Sequence, residues 1–571
     1  MVCMAATAAF AGCTQAGGDT SAADGTHAKV SEMPPSFDPR TAVITEKTVP
    51  VYREVPENYE NKSIYFINGG DIPYISLEEF MFVLEDAYNL TFEADGGKAS
   101  YVRENGYSAD FDFGKNTIHF TDFNMFNQMD EASLIDVSGI SDRVAPLFQK
   151  DEERSYERYG REITMHLSEY GITMLHRNGG YYIPLQTFSD IFISGLGCGS
   201  LYNGEAIIIA SGLDDEMSEI YYSAPKSERS KEFALFDYNE LCFALDHHYG
   251  LKDTHRITNF DAFFTECGYD KVMKGTNQTL ADAALYEFIT LHLDDRHSGF
   301  ASVSFRTDKD LFKEETAGIT TGSSTRIVRE TQKEFQNARS KYFPDGIVPY
   351  EEVGNTAYIT FDNLMNGNAR DFYSKPKEEE FSSTIRLLQY AFDRITREGS
   401  PVENVVMDLS LNGGGIAYIA VYATGMFTGE GQVSVSDELT GALTSQYYRL
   451  DTNRDHVFDE KDTLAGKGYK FYCLESVATF SCGNLVTNVF KNSNKVTLIG
   501  QTSGGGSCIV QHMSTAGGTS FQISGDMRMS FIKNGAFYDI DRGAEPDVYI
   551  KDPEFLYDRK ALTDYINNNI K

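Results

Sequence analysis

Ser481 stands at the entrance of a predicted helix, a position that suits the nucleophile of an acyl transfer. Residues 472–474 read as a short strand. Beyond Thr479-Phe480-Ser481-Cys482-Gly483-Asn484, the apolar residues Leu485, Val486, Val489 and Phe490 recur at helical spacing. A serine there lies beside unpaired backbone N–H groups and the positive end of the helix dipole, which can hold the oxyanion of a tetrahedral intermediate. Serine before a helix is also a common N-cap, so the neighbouring segments decide. Upstream, Val405-Val406-Met407-Asp408-Leu409-Ser410-Leu411-Asn412-Gly413-Gly414-Gly415 is a buried strand running into a glycine turn whose free N–H groups can face a substrate. Downstream, Val496-Thr497-Leu498-Ile499 leads into Gly500-Gln501-Thr502-Ser503-Gly504-Gly505-Gly506. Further on comes Asp539-Ile540-Asp541-Arg542-Gly543-Ala544-Glu545-Pro546-Asp547-Val548.

In this order, strand–DxxxNGGG, TxSxG before a helix, strand–GxTxGGG and GxEPDV resemble the C-terminal processing (tail-specific) serine peptidases, over about residues 285–550. The resemblance implies hydrolysis of unfolded or extended polypeptide, with Ser481 as nucleophile and no catalytic cofactor. The bacterial processing branch places a lysine base in the glycine turn after the serine, and Thr502 to Gly506 holds none. The branch of the tricorn core peptidase, the chlamydial protease and the retinoid-binding-protein-like repeats takes a histidine from an upstream D-x-H-[ST] segment. Asp295-Arg296-His297-Ser298 matches it, so the resemblance makes His297 the base. In that branch a glutamate shortly before the terminal G-x-x-PD orients the imidazole. The matching stretch here offers Asp539 and Asp541, which strand alternation would point to one face, with Glu545 beyond. The sequence leaves both aspartates open, with Asp541 slightly preferred. The resemblance also assigns the oxyanion donors to the N–H groups of Gly414 and Cys482. It shows Ser410 where the family carries an arginine two residues after Asp408, so that supporting contact is not expected here.

The elements that must position these residues follow from apolar periodicity. Residues 356–361 read as a strand. Phe381, Ile385, Leu388, Phe392 and Ile395 form a helix that stops at Gly399, and the strand at 405–409 completes a β-α-β crossover. The fold class is therefore α/β: a mixed-sheet protease core of the tail-specific type at 351–571. A helical subdomain at 216–350 delivers His297, and 305–353 has too few residues and no GLGF-like loop for a PDZ domain. An N-terminal α+β repeat domain occupies 51–215. In it Phe66-Ile67-Asn68-Gly69-Gly70 and the residues to Phe80 are echoed by Leu175-His176-Arg177-Asn178-Gly179-Gly180 and the residues to Phe188. Each copy reads as strand, Asn-Gly-Gly turn, strand and short helix, resembling domains of the copper amine oxidase N-terminal type, here without copper ligands. A structural stalk is the favoured role.

One insertion carries separate chemistry. Asp451-Thr452-Asn453-Arg454-Asp455-His456-Val457-Phe458-Asp459-Glu460-Lys461-Asp462 matches the calcium loop of dockerins and EF-hands. Asp451, Asn453, Asp455, Asp459 and Asp462 would supply oxygens, Val457 its carbonyl, and His456 stands where glycine is usual. This implies a structural calcium ion. Phe10-Ala11-Gly12-Cys13 resembles a bacterial lipobox. Residues 1–13 are thus expected to be a lipoprotein-type signal with lipidation at Cys13, and 14–50 a flexible tether, giving an exported, lipid-anchored protein on the outer face of a bacterial membrane. The six cysteines beyond Cys3 and Cys13 permit disulfides. The net charge of −34 argues against nucleic acid and anionic membrane surfaces as partners. Three functions follow: an active serine endopeptidase, a protease-fold protein that binds peptide or hydrophobic ligand without cleaving it, and a surface scaffold acting through residues 60–212.

Overall fold

The strands that precede the three motif turns lie side by side and parallel: Asn404–Asp408, Lys470–Glu475 and Val496–Gly500. They are buried on both faces, so both must be covered. Val405, Met407, Cys473 and Leu498 point to one face, where helices Thr384–Thr396, Ala417–Thr428 and Cys482–Ser493 pack. Val406, Tyr472, Leu474 and Ile499 point to the other, against helices Ser323–Tyr342 and Arg559–Asn569. Thr356–Thr360 and Tyr350–Val353 extend the sheet on one side and Val548–Tyr549 on the other; only the 350–353 edge is antiparallel. Parallel strands release their loops at the same sheet edge, which is where ligands of such sheets bind. The order of strands thus gathers the turns after Asp408, Glu475 and Gly500. These features come from a computed structural model that describes residues 28–570 apart from 36, 86, 128–142, 159 and 227. Cys13 and the signal segment lie outside the described residues.

A second, largely antiparallel sheet brings in the histidine. Gly299–Ser302 pairs with Ser520–Ser530, which also pairs with Gly431–Asp437 and Cys508–Ser514. The helix Gln278–Glu287 widens into a π-turn over Phe288–Leu293 and stops at Asp294, whose φ is +45°. The segment 309–342 holds two helices, Lys309–Thr316 and Ser323–Tyr342.

Each Asn-Gly pair of the N-terminal repeat lies between two strands, the second of which leads into a short helix. Asn68 and Gly69, and again Asn178 and Gly179, take left-handed backbones at corresponding turns. The strands that follow, Tyr74–Ser76 and Gly180–Pro184, pair with each other. The tether is shorter than expected. Strand Ile44–Arg53 begins inside it, Val30 and Ala42 are buried, and Ser31 hydrogen-bonds Asp261 through both its N–H and its hydroxyl. Apolar residues spaced among small polar ones supply these anchors, which composition alone hid. The repeat unit also reaches into the protease: Phe148–Lys150 and Tyr156–Arg158 pair with Leu443–Leu450. All six cysteines of the described residues are free thiols. No helix among the described residues is long and apolar enough to cross a membrane.

Asp408 takes its counter-charge from a distant segment. Asp408, at the end of the central strand, accepts from the Ser410 N–H (3.0 Å) and hydroxyl (2.6 Å), and from Nη2 of Arg559 at 2.6 Å. Both charged side chains are almost fully enclosed, 4% exposed for Arg559 and 1% for Asp408. Burial works against the Arg559 charge, but Asp408 outweighs it and its pKa is raised. Removing one member of such a pair leaves the other charge uncompensated. Arg559→Ala is therefore expected to cost about 3–5 kcal/mol of unfolding free energy in denaturant titration, whereas a loss below about 1 kcal/mol would mean that the pair behaves as a surface one.

A second buried charge problem joins the repeat unit to helix Lys231–His248. Glu240 accepts from the Thr187 hydroxyl and Asp190 from the Gln186 amide, yet one oxygen of each carboxyl has no partner. Burial pushes Glu240 up to about 8, and burial together with Glu240 raises Asp190. The folded state then holds a proton that the unfolded state gives up near the ordinary value of 4.5. The stabilisation by neutral Glu240 is complete below pH 4.5 and is lost as pH rises to about 8. Glu240→Gln should remove that decline, so the variant gains on the wild type in melting temperature between these limits. A parallel pH dependence of the two proteins would refute the assignment.

Candidate active site

Ser481 is suspended between the two glycine turns. The Thr479 hydroxyl donates to the carbonyl of Leu409 (2.7 Å), Phe480 N–H to Asn412 O (3.0 Å) and Ser481 N–H to Gly505 O (2.9 Å). These ties hold Ser481 at φ +55°, ψ −127°, a backbone that serine rarely adopts. Its side chain caps nothing, which separates it from an ordinary N-cap serine. Strand Lys470–Glu475 and helix Cys482–Ser493 flank it as the spacing predicts. The Cys482 N–H opens the helix, and no backbone acceptor among the described residues takes it. Burial pushes the Cys482 thiol up to about 12, so it is no thiolate at neutral pH.

Gly414 meets Ser481 directly. At φ +100° it lies so close that a Cβ would stand 2.6 Å from the Ser481 Cβ and 3.1 Å from the Cys482 nitrogen. Its N–H, however, donates to Oδ1 of Asn412 at 2.9 Å. The structure therefore places Gly414 beside the expected oxyanion position with its amide already engaged. Asn412 is fully buried and also donates to Phe361 O. Gly505 requires its turn for a similar reason: at φ +77°, a Cβ would fall 2.1 Å from the carbonyl of Asp541.

His297 arrives on a loop that three consecutive side chains fasten to three different elements. Asp294 accepts from the N–H groups of Ser324 (2.7 Å) and Thr325 (2.9 Å), at the start of a helix. Asp295 accepts from Ser298 and from the hydroxyl of Tyr249 (2.7 Å), at the end of another. Arg296 donates to Val477 O (3.0 Å) and lies 3.8 Å from the centre of the Phe480 ring. Arg296, like Asp294, is left-handed, with φ +68°. The result packs the imidazole against Phe480, the residue before Ser481, with ring centres 4.6 Å apart. His297 is buried, and its Nδ1 has no hydrogen-bond partner. Among the described residues no hydrogen bond joins Ser481 to His297. Burial lowers the His297 pKa below the ordinary 6.5; Asp295 and then Asp541 oppose the shift, and Arg296 adds to it. The imidazole is therefore neutral at pH 7, the form a base requires.

The terminal acids differ from expectation. Residues 538–547 form no strand but a turn after the hairpin Ile532–Lys533/Ala536–Phe537. Asp539 and Asp541 do face one partner, Nη2 of Arg528, at 2.5 and 2.6 Å. Asp541 also accepts from the N–H (2.6 Å) and hydroxyl (2.9 Å) of Ser507. Neither aspartate hydrogen-bonds His297. Burial opposes the Arg528 charge, but Asp541 and Asp539 outweigh it and raise its pKa.

The 451–462 loop is turned as a calcium loop would be, with His456 at φ +63°, but its oxygens serve the chain itself. Asp451 accepts from the N–H groups of Asp455 and His456, Asp462 from those of Asn453 and Asp459, and Asp455 from that of Val457. Asn453 Oδ1 accepts from Asp455 N–H, and Asp459 pairs with Lys461. No group of three or more His, Cys, Asp or Glu among the described residues is arranged to hold a metal ion. The side chains that spacing assigned to calcium do not converge on one, and the expectation of a structural ion finds no support in the geometry.

Sequence reasoning missed Asn412, Tyr249, Asp295 and Arg528 as parts of the site. Asn412 and Asp295 stand inside the quoted motifs, so a signal was present without its role. Tyr249 and Arg528 carry no local signal, because only the packing of distant segments brings them in.

Residues 355–550 match the family model Peptidase family S41. No curated protein matches the chain. Among solved structures, the photosystem II D1 C-terminal processing protease is 19% identical over 39% of this chain and 54% of its own, with a TM-score of 0.28, so this chain spans about half of that protein. A peptidase from Parabacteroides merdae is 14% identical over 55% and 88%, with a TM-score of 0.40. Mature CPAF is 10% identical over 60% and 99%, with a TM-score of 0.38. Likenesses this distant leave the assignment resting on the family match, which contains Ser481 and both glycine turns. Residues 355–550 are therefore similar to peptidase family S41.

Proposed function

We propose that the chain is a serine endopeptidase acting on unfolded or extended polypeptide, with Ser481 as nucleophile and His297 as base. The observation that carries this reading is the strained, uncapped Ser481 at a helix mouth with a buried neutral imidazole packed on its neighbour Phe480. In this reading Ser481 Oγ attacks the scissile carbonyl carbon as His297 takes its proton. The imidazolium then protonates the leaving amine, and water repeats the sequence on the acyl-enzyme. The Cys482 N–H faces the developing oxyanion. Gly414 joins it once its amide leaves Asn412, and substrate entry must also bring Ser481 and His297 into hydrogen-bond contact. The lipobox-like Phe10-Ala11-Gly12-Cys13 supports an exported, membrane-tethered enzyme, and the repeat unit is read as its stalk. Calcium is not part of this reading.

A second reading, a fold that binds peptide without cleaving it, draws on the missing Ser–His hydrogen bond and the engaged Gly414 amide. Incubation with reduced casein separates the two. The wild type is expected to degrade it and Ser481→Ala to lose activity by on the order of 10⁴–10⁶-fold, while an inert wild type favours the second reading. Because His297 must be neutral and its pKa lies below 6.5, kcat/KM should rise with pH along a limb centred below that value. A limb centred above 6.5 would exclude His297 in this environment as the base.

A further inference from the structure

We propose that Asp295, held in place by Tyr249, is the carboxylate that stabilises the charged form of His297, in place of the acids of the 539–541 turn. The kinetic part of this proposal rests on the peptidase reading; the electrostatic part does not. Asp295 stands two residues before His297, between the left-handed backbones of Asp294 and Arg296. Its Oδ1 accepts from Ser298 N–H at 2.6 Å, and its Oδ2 from the hydroxyls of Tyr249 (2.7 Å) and Ser298 (2.8 Å). All three donors are neutral, and no cation among the described residues makes an ion pair with it. Asp541 is different. Its charge meets the Arg528 guanidinium at 2.6 Å, and Asp539 meets the same group. A paired charge has a weaker field at a third group than an unpaired one.

The groups facing His297 from every side fit this assignment. Arg296 comes from its own loop, Asp541 from the terminal turn with Arg528 behind it, and Phe480 from the nucleophile segment. Tyr249 and Cys508 complete the cluster around Asp295 and Asp541. Asp295 is the larger of the two acidic influences on the imidazole. Tyr249 is buried and its position is fixed. The next residue, Gly250, donates to Ser524 O, and a Cβ there would lie 2.0 Å from Gly525 O. Burial and Asp295 raise the Tyr249 pKa well above 10, so it remains a hydroxyl donor. Asp295 and Tyr249 are thus positioning residues, and the second caps the C-terminal end of helix Lys231–His248.

The test is an NMR titration of the full chain labelled at histidine, with His297 assigned by its loss in His297→Gln, beside pH–rate profiles on casein peptides. Asp295→Asn is expected to lower the His297 midpoint by about one pH unit, more than Asp541→Asn does. The acidic limb of kcat/KM should move in the same direction, with kcat reduced and KM little changed. An unchanged midpoint in Asp295→Asn, or a larger shift in Asp541→Asn, overturns the proposal. If Asp295→Asn does not fold, Tyr249→Phe carries the test. Loss of one donor leaves the carboxylate charge more concentrated, and the His297 midpoint should rise by about half a unit; no movement overturns the proposal. A wild type that cleaves nothing refutes the peptidase reading and leaves the NMR comparison to decide this one.

Discussion

The buried carboxylate of Asp408 is the constraint around which the protease core is arranged. It ends the central strand at the edge where the motif turns meet, and an ionised carboxylate enclosed by protein must be paired and hydrogen-bonded. Arg559 supplies the counter-charge and Ser410 the remaining donors. The Ser410 hydroxyl in turn contacts Tyr557 at 2.9 Å, and Arg559 reaches Thr360 on the adjacent strand. One electrostatic requirement thus fixes the C-terminal helix against the sheet, closes the face lined by Val406 and Tyr472, and sets the start of the 409–415 turn. Through the Leu409 and Asn412 carbonyls, that turn hangs the Thr479–Ser481 segment.

The histidine is positioned by a different principle. Its loop has two non-glycine residues in left-handed conformations, each unfavourable by itself. They persist because Asp294, Asp295 and Arg296 grip a helix start, a helix end and the nucleophile segment respectively. The strain is over-determined by contacts from three directions, so the loop has little freedom to relax. It also ties the proposed catalytic arrangement to segments outside the 355–550 family match, since His297, Asp295 and Tyr249 all precede it. The resting geometry is poised rather than assembled: the Gly414 amide is held by Asn412, and Nδ1 of His297 is buried without an acceptor. An unmet buried donor or acceptor is costly, which gives the site a reason to reorganise when a ligand supplies new partners.

By itself the sequence determined what local chemistry encodes. Apolar runs ending in glycines specified the parallel strands, 3.6-residue spacing specified the helices at 384–396 and 482–493, and Asn-Gly pairs specified the repeated turns, because each depends on residues within a few positions of one another. Ser481 was legible for the same reason, as strand, turn and helix lie in one short segment. The histidine was legible only through a resemblance. Strand alternation was assumed for Asp539 and Asp541 where the chain turns, and their shared partner Arg528 lies on a different strand. The calcium reading finds no support in the geometry: spacing reports which oxygens are available, and in the fold backbone amides donate to them. Only the tertiary structure could show that Arg559 pairs with Asp408, that Tyr249 reaches Asp295 from 46 residues away, or that Val30 and Ala42 are buried. Each is a contact between groups distant in sequence, fixed by burial and by the need to satisfy charge.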